Sequence, residues 1–291
     1  MLSEHGIPIA PNTYRGHKRA PISDAELEEA YLVDAVVTLW RKNNEVYGIR
    51  KMWHAMGRAG YSVGRDRVGR LMRIAGVHGV RRGDHRTITT IRAQTAPRQP
   101  DLLRRGWDTP TRPDTWWVAD FTYVWTLTGF VYVSFITDVY SRRILGWRVM
   151  ASRQTALVAS AVEQALATRR RQNSQFTTTG LVHHSDAGSQ YTSLAFTEAL
   201  EEAGIAGSIG SVGDALDNAL MESTIGLYKT ELIEHPRRRT TWRNRADVET
   251  ATAEWVYWYN TERIHSSIGY MPPIEKEMEY ASTIASRREV A

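Results

Sequence analysis

The sequence predicts an α/β protein, a mixed sheet flanked by helices and preceded by an all-α, helix-turn-helix-like module. Three observations carry this. Up to about residue 75, apolar residues recur at three-to-four spacing, the period of an amphipathic helix. Over 115–150 the period becomes two, in a run rich in aromatic and β-branched residues, as in a strand. Beyond that, helical and strand-like stretches alternate, so strands feed helices that pack back on one sheet.

Residues 1–22 hold prolines at 8, 11 and 21 and little periodicity, and read as an irregular lead-in. Ser23-Asp24-Ala25-Glu26 fits a capping box, so a helix begins there, with Leu27, Tyr31, Val33, Val37 and Trp40 on its apolar face. A second helix over 47–59 turns Ile49, Met52, Trp53 and Met56 inward. Gly60-Tyr61-Ser62 breaks it. Ser62 caps a third helix over 63–75, with Val68, Leu71 and Ile74 inward and Arg65, Arg67, Arg70 and Arg73 pointing elsewhere. Between positions 41 and 92 stand 13 Lys and Arg against three acids, a larger excess than that of the whole chain. Two helices joined by a short Gly-containing turn, the second rich in arginine, suit a helix-turn-helix laid against DNA over 23–92. Its arginines would grip phosphate. The competing reading is a basic three-helix bundle that only holds another domain.

Prolines at 97, 100, 110 and 113 mark a linker over 93–114. Strands follow over 116–125, 130–138 and 142–149, with a turn at Leu127-Thr128-Gly129. A helix over 155–171, a strand over 180–184, a helix over 193–203, a strand over 205–210 and a helix over 214–234 complete a core at 115–234. The extension 235–291 holds a basic segment, a helix over 246–260 with Trp255, Val256, Trp258 and Tyr259 packed, and an irregular clasp with a short helix from Tyr270.

At 291 residues, 42% hydrophobic and 24% charged, the chain suits about two globular domains. The net charge of +5 leans towards a polyanionic partner. The absence of cysteine excludes disulfides, thiolate zinc sites and cysteine nucleophiles, and permits a reducing cytoplasm. There is no run of 18 apolar residues and no signal pattern, so neither a membrane nor export is expected.

Three acids draw attention. Asp120 alternates with Trp116, Val118, Thr122 and Val124 along the first strand, where a carboxylate is costly to bury without a partner or a metal. Asp186 stands 66 positions later in His184-Ser185-Asp186-Ala187-Gly188-Ser189-Gln190-Tyr191, and Glu222 a further 36 on in Asp217-Asn218-Ala219-Leu220-Met221-Glu222-Ser223. Carboxylates on separate elements suit two Mg²⁺ ions, which activate the attacking oxygen and stabilise the leaving one in phosphodiester chemistry. Crowded acids repel one another, and cations relieve that repulsion. Asn218, Glu222, Gly226 and Lys229 share one helix face, so Lys229 reaches a phosphate beside a metal held by Glu222. An ordinary exposed Glu–Lys face has the same spacing. Spacing alone also leaves competitors: Asp138 can lie across from Asp120 on the next strand, and Asp214 and Asp217 precede Glu222, where helix capping accounts for them. His183 and His184 complete no zinc spacing and read as strand-end residues that orient DNA or a water. Ser185 and Ser189 lack a base, and Gly188 lies in no phosphate-cradling loop, so no serine nucleophile or ATP requirement is expected.

Four motifs then carry a resemblance. They are Trp117-Val118-Ala119-Asp120-Phe121-Thr122-Tyr123; His184-Ser185-Asp186-x-Gly188-Ser189-Gln190-Tyr191; Asp217-Asn218-Ala219-x-x-Glu222-Ser223 with Lys229-Thr230-Glu231; and Tyr259-Asn260-x-x-Arg263-x-His265-x-x-x-Gly269-Tyr270-x-Pro272. The chain resembles the catalytic protein encoded by the second reading frame of bacterial insertion sequences, whose transposases are similar to retroviral integrases. Segment 47–78 resembles the helix-turn-helix placed ahead of their core. The resemblance implies an RNase H-like core with a DDE triad at Asp120, Asp186 and Glu222, holding two Mg²⁺ ions, with Mn²⁺ as a substitute. It implies DNA contacts by Lys229, Asn218, Gln190 and Tyr191, alongside those of Arg65, Arg67, Arg70 and Arg73. The implied reaction nicks the element ends and sends the freed 3′-hydroxyl against another phosphodiester, through a strand-bridged circle. The implied partners are double-stranded DNA at element ends and target, further copies of the chain on DNA, and an upstream-frame protein or fusion that supplies a repeat-reading module and a zipper. The implied place is the bacterial cytoplasm, on the nucleoid when DNA is bound. Without cysteine the chain lacks the His/Cys zinc domain of retroviral integrases. Two rival readings keep the same residues: an RNase H-like nuclease that cuts without joining, and a non-catalytic DNA-binding regulator derived from a mobile element.

Overall fold

The computed structural model describes residues 10–19, 22–81, 110–185, 190–191, 193–209, 219–237 and 241–289. Most of the expected linker, with Asp186, Asp214, Asp217 and Asn218, lies outside them. The chain divides into two compact units, Met1–Gly79 and Val80–Ala291.

The first unit is all helix. α1 (Pro11–Arg19) replaces part of the irregular lead-in, with Pro11 at the first helical position, where its missing N–H costs nothing. α2 (Asp24–Lys42) starts at the expected capping box: Ser23 Oγ accepts from the Glu26 N–H at 3.3 Å and Glu26 accepts from the Ser23 N–H at 2.9 Å. Its buried seam runs through Leu32, Ala35, Val36 and Trp40, so Leu27 and Tyr31, expected inward, are exposed. α3 (Ile49–Arg58) buries Met52, Ala55 and Met56, and leaves Ile49 and Trp53 exposed, against expectation. α4 (Arg65–Ile74) begins two residues late, capped by the Gly64 backbone rather than by Ser62, and buries Val68, Gly69, Leu71 and Met72 while Ile74 stays outside. Gly69 lets α4 approach α3, since a Cβ there would meet Ile49 Cδ1 at 3.2 Å.

The second unit is built on a mixed five-stranded sheet. β1 (Trp116–Thr126), β2 (Gly129–Asp138) and β3 (Ile144–Met150) form an antiparallel meander, while β4 (Val182–Ser185) and β5 (Ala206–Ile209) run parallel to β1, giving the order β3-β2-β1-β4-β5. One face packs Trp117, Ala119, Ile136 and Leu145 against α5 (Thr155–Gln172) and α6 (Leu194–Glu202). Gly146 permits this: a Cβ would lie 2.0 Å from the Ala161 carbonyl oxygen of α5. The other face meets α7 (Ala219–Tyr228) and α8 (Arg245–Thr261), where the Phe135 ring lies 5.0 Å from Tyr228 and 6.1 Å from Trp255.

Two expectations change here. The helix expected to run unbroken to 234 turns into a π-helical segment at Lys229–Ile233, and the short terminal helix is a 17-residue α9 (Pro273–Glu289). α9 does clasp the core: its Glu277 pairs with Arg143 and Arg169.

Candidate active site

Residue order on β1 places the first acid. Val118, Thr122 and Val124 turn into the α7–α8 side and are buried, and Asp120 alternates with them, half-exposed, opposite Phe135 of β2. The Phe121 N–H donates to Asp120 Oδ1 at 2.7 Å, which fixes the carboxylate against its own strand. β4 pairs with only the first third of β1 and ends at Ser185, in register with Ala119, one residue before Asp120. Glu222 is exposed in the first turn of α7, whose residues pack against β1. Seven residues further on, about two turns, Lys229 is half-buried with its ammonium 4.9 Å from the centroid of the Tyr123 ring. Burial lowers the Lys229 pKa, and the carboxylates of Glu234 and Asp120 act against that shift. Asp120, Tyr123 and Lys229 therefore share one neighbourhood. Tyr123 stands in the motif around Asp120 but was given no role there; its signal was an aromatic three positions from the acid on a strand that outruns its partner β4.

Asp186 and Asn218 lie outside the described residues. Among the described residues no three His, Asp or Glu are grouped to hold a metal.

Several expected neighbours of the site belong to the core instead. Tyr191 is 1% exposed and packs against Phe121, His183 and Phe196, with ring centroids 5.6–6.4 Å away, so its ring offers no surface to DNA. Gln190 is nearly buried, and its carbonyl accepts from Ser193 Oγ. His183 and His184 are both buried, which removes them as orienters of DNA. Burial, reinforced by the neighbouring His184, pushes the His183 pKa down to about 3, so the ring is neutral. His184 Nδ1 sits 3.0 Å from Ser208 Oγ. Asp138 does not face Asp120 either. It is paired with Trp117 and fully buried, and it accepts from the Asp114 N–H and from the N–H and Oγ of Ser141 at 2.8–2.9 Å. Burial raises its pKa to about 6.

In the first unit the four arginines of α4 are all exposed. Arg67 donates to Glu28 at 3.0 Å and Arg70 pairs with Glu29, both on α2, and Arg65 lies 3.5 Å from Asp66.

The sequence matches the integrase core domain family over residues 110–215, a second integrase core domain family over 203–273, and an HTH-like domain family over 26–85. It is 44% identical over 286 residues to the transposase for insertion sequence element IS629 of Shigella sonnei, covering 96% of this chain and 92% of the relative. The chain belongs to the insertion-sequence transposases. The transposase is also 46% identical over 274 residues to the IS986/IS6110 insertion-element protein of Mycobacterium tuberculosis, covering 94% of this chain and 96% of that one. Among solved structures, the HTLV-2 integrase catalytic core domain in complex with magnesium is similar at a TM-score of 0.43 and 16% identity, over 57% of the transposase and 98% of that chain. As an enzyme with an integrase core and an HTH-like domain, the transposase acts on DNA.

Proposed function

We propose that the chain nicks insertion-sequence ends and joins the freed 3′-hydroxyl to target DNA, with Asp120, Asp186 and Glu222 as the acids of a two-metal site. The observation that carries this reading is the convergence on Asp120: β4 ends in register with the residue before it, and the α7 segment that bears Glu222 brings the Lys229 ammonium within its electrostatic reach. The donors fit hard divalent cations. They are carboxylates on separate elements, the chain has no thiolates, and the two histidines nearest the site are buried in the core. Bound Mg²⁺ or Mn²⁺ would supply an activated oxygen nucleophile and a stabilised leaving oxygen.

The chain's own residues do the rest. Lys229, held over Tyr123, neutralises a phosphate at the DNA end, with Asn218 as a further contact to DNA. A half-buried ammonium gains most from such a phosphate, because it is already partly stripped of water. Arg65, Arg67, Arg70 and Arg73 grip the duplex backbone, with Arg67 and Arg70 exchanging Glu28 and Glu29 for phosphate. The work is done in the bacterial cytoplasm by more than one copy, since two ends must be held together, and with the product of an upstream reading frame. Incubation with a duplex that carries pre-cut ends, with Mg²⁺ or with chelator, tests the reaction class. Joined strands that need the metal are expected; free ends without joined strands would make the protein a nuclease instead.

A further inference from the structure

The motif Tyr259-Asn260-x-x-Arg263-x-His265 is left without a task by the site itself, and the structure shows where it goes. Arg263 Nε donates to Glu231 Oε2 at 2.8 Å and Nη2 donates to Oε1 at 2.6 Å, a two-pronged pair with both side chains 5% exposed or less. Arg263 is itself held: Nη1 lies 3.1 Å from His265 Nδ1, and the guanidinium lies 5.9 Å and 5.7 Å from the rings of Trp258 and Tyr259. Glu231 stands in the middle of the π-helical segment whose first residue is Lys229, and the Lys229 carbonyl accepts from the Glu234 N–H five residues on.

We infer that the Arg263–Glu231 pair is a positioning device that fixes the rotation of α7 and its π-turn, and so aims Lys229 at the DNA end. The inference rests on the proposed role of the Glu222–Lys229 face. At roughly 100° per residue, Lys229 falls on the same side of the helix as Glu222, and Glu231 falls on the opposite side. A grip on the back of the helix sets where the front points. The π-turn gives the grip something to hold against: a π segment is rare and concentrates at functional sites. Rewinding it to α would change the rotation between α7, which ends at Tyr228, and the gripped Glu231. A buried ion pair adds little net stability over an apolar pair of similar volume, so stability alone does not explain this one. The planar fork of arginine fixes direction as well as distance, which a lysine ammonium does not.

The chain has no cysteine, so Lys229→Cys introduces a single thiol. Disulfide trapping of that thiol by a pre-cut DNA end with a tethered thiol beside its 3′-hydroxyl reads the aim of position 229 without needing turnover. The full chain would be compared with Arg263→Lys and with Glu231→Asp, which keep both charges. Trapping at least fivefold lower in either variant, with DNA affinity and a cooperative melt retained, is the expected result. In the Lys229 background, the same variants should lower the joining rate at saturating DNA and leave half-saturation unchanged. Undiminished trapping and joining in both variants would overturn the inference, and so would loss of the cooperative melt in both, since the pair would then be a folding element. No trapping even with the pair intact would instead overturn the reading that the 222–229 face meets DNA.

Discussion

Asp120 accepts from the N–H of its own neighbour, half-exposed on β1, whereas Asp138 is fully buried, accepts from Asp114 and Ser141, and lies 3.9 Å from Arg169. The two aspartates therefore separate under mutation. Asp120→Asn should leave the melt unchanged and remove strand joining. Asp138→Ala should cost about 3 kcal/mol in urea denaturation, because the buried donors of Asp114 and Ser141 lose their acceptor and Arg169 loses a nearby opposite charge. His183 offers a second test. Its ring is neutral in the fold and titrates near 6.5 when unfolded, so it contributes stability above pH 6.5 that is lost as pH falls towards about 3. Its share of the acid limb is about 1.4 kcal/mol per pH unit at most. His183→Phe keeps an aromatic beside Phe196 and Tyr191 and should flatten that limb between pH 6 and 4. At this scale the sequence was only partly legible. A carboxylate among alternating apolar residues marked Asp120, but nothing local distinguished buried His183 and Tyr191 from residues facing DNA. Their burial is set by α6, which packs over β4 through Phe196.

The elements of the core were legible because period decides them: two along β1 to β3, and three-to-four along α5. Their lengths and faces were not, where a distant partner decides. α9 is anchored near its start, where Glu277 bonds both Arg143 and Arg169, contacts 134 and 108 positions away in sequence. Burial alone would push the Glu277 pKa up, but Arg169 and Arg143 outweigh it and hold the carboxylate below its usual range. Glu277→Ala should therefore cost roughly 3–5 kcal/mol, by stranding two buried guanidinium groups. Gly146→Ala should be as severe, since its Cβ would fall 2.0 Å from the Ala161 carbonyl oxygen and α5 would have to lift off β3. Chemical denaturation of the two variants checks both. The seam of α2 is a further case: Leu32 and Val36 are as apolar in spacing as Leu27 and Tyr31, and only the packing of α3 and α4 selects between them.

The whole molecule joins an arginine-bearing helical unit to a sheet unit that carries an exposed Glu222 and a half-buried Lys229. The first unit's share is electrostatic. Replacing Arg65 and Arg73 together with alanine should weaken DNA binding uniformly across sequences and reduce the slope of log affinity against log salt by about 2. Fold class and the order of units were legible from the change of periodicity and the basic run. Spacing alone could not bring Asp120 and Glu222 together, because the packing of α7 on β1 decides that, and only the motifs around the acids singled them out. The most direct test of the central claim is strand joining from pre-cut ends in Mg²⁺ by the wild type and by Glu222→Gln, which keeps shape and removes one charge from the metal site. Joined product from the wild type, with at least a hundredfold loss in Glu222→Gln at unchanged DNA affinity, is the predicted result. Equal joining by both proteins would contradict it and place the active site elsewhere.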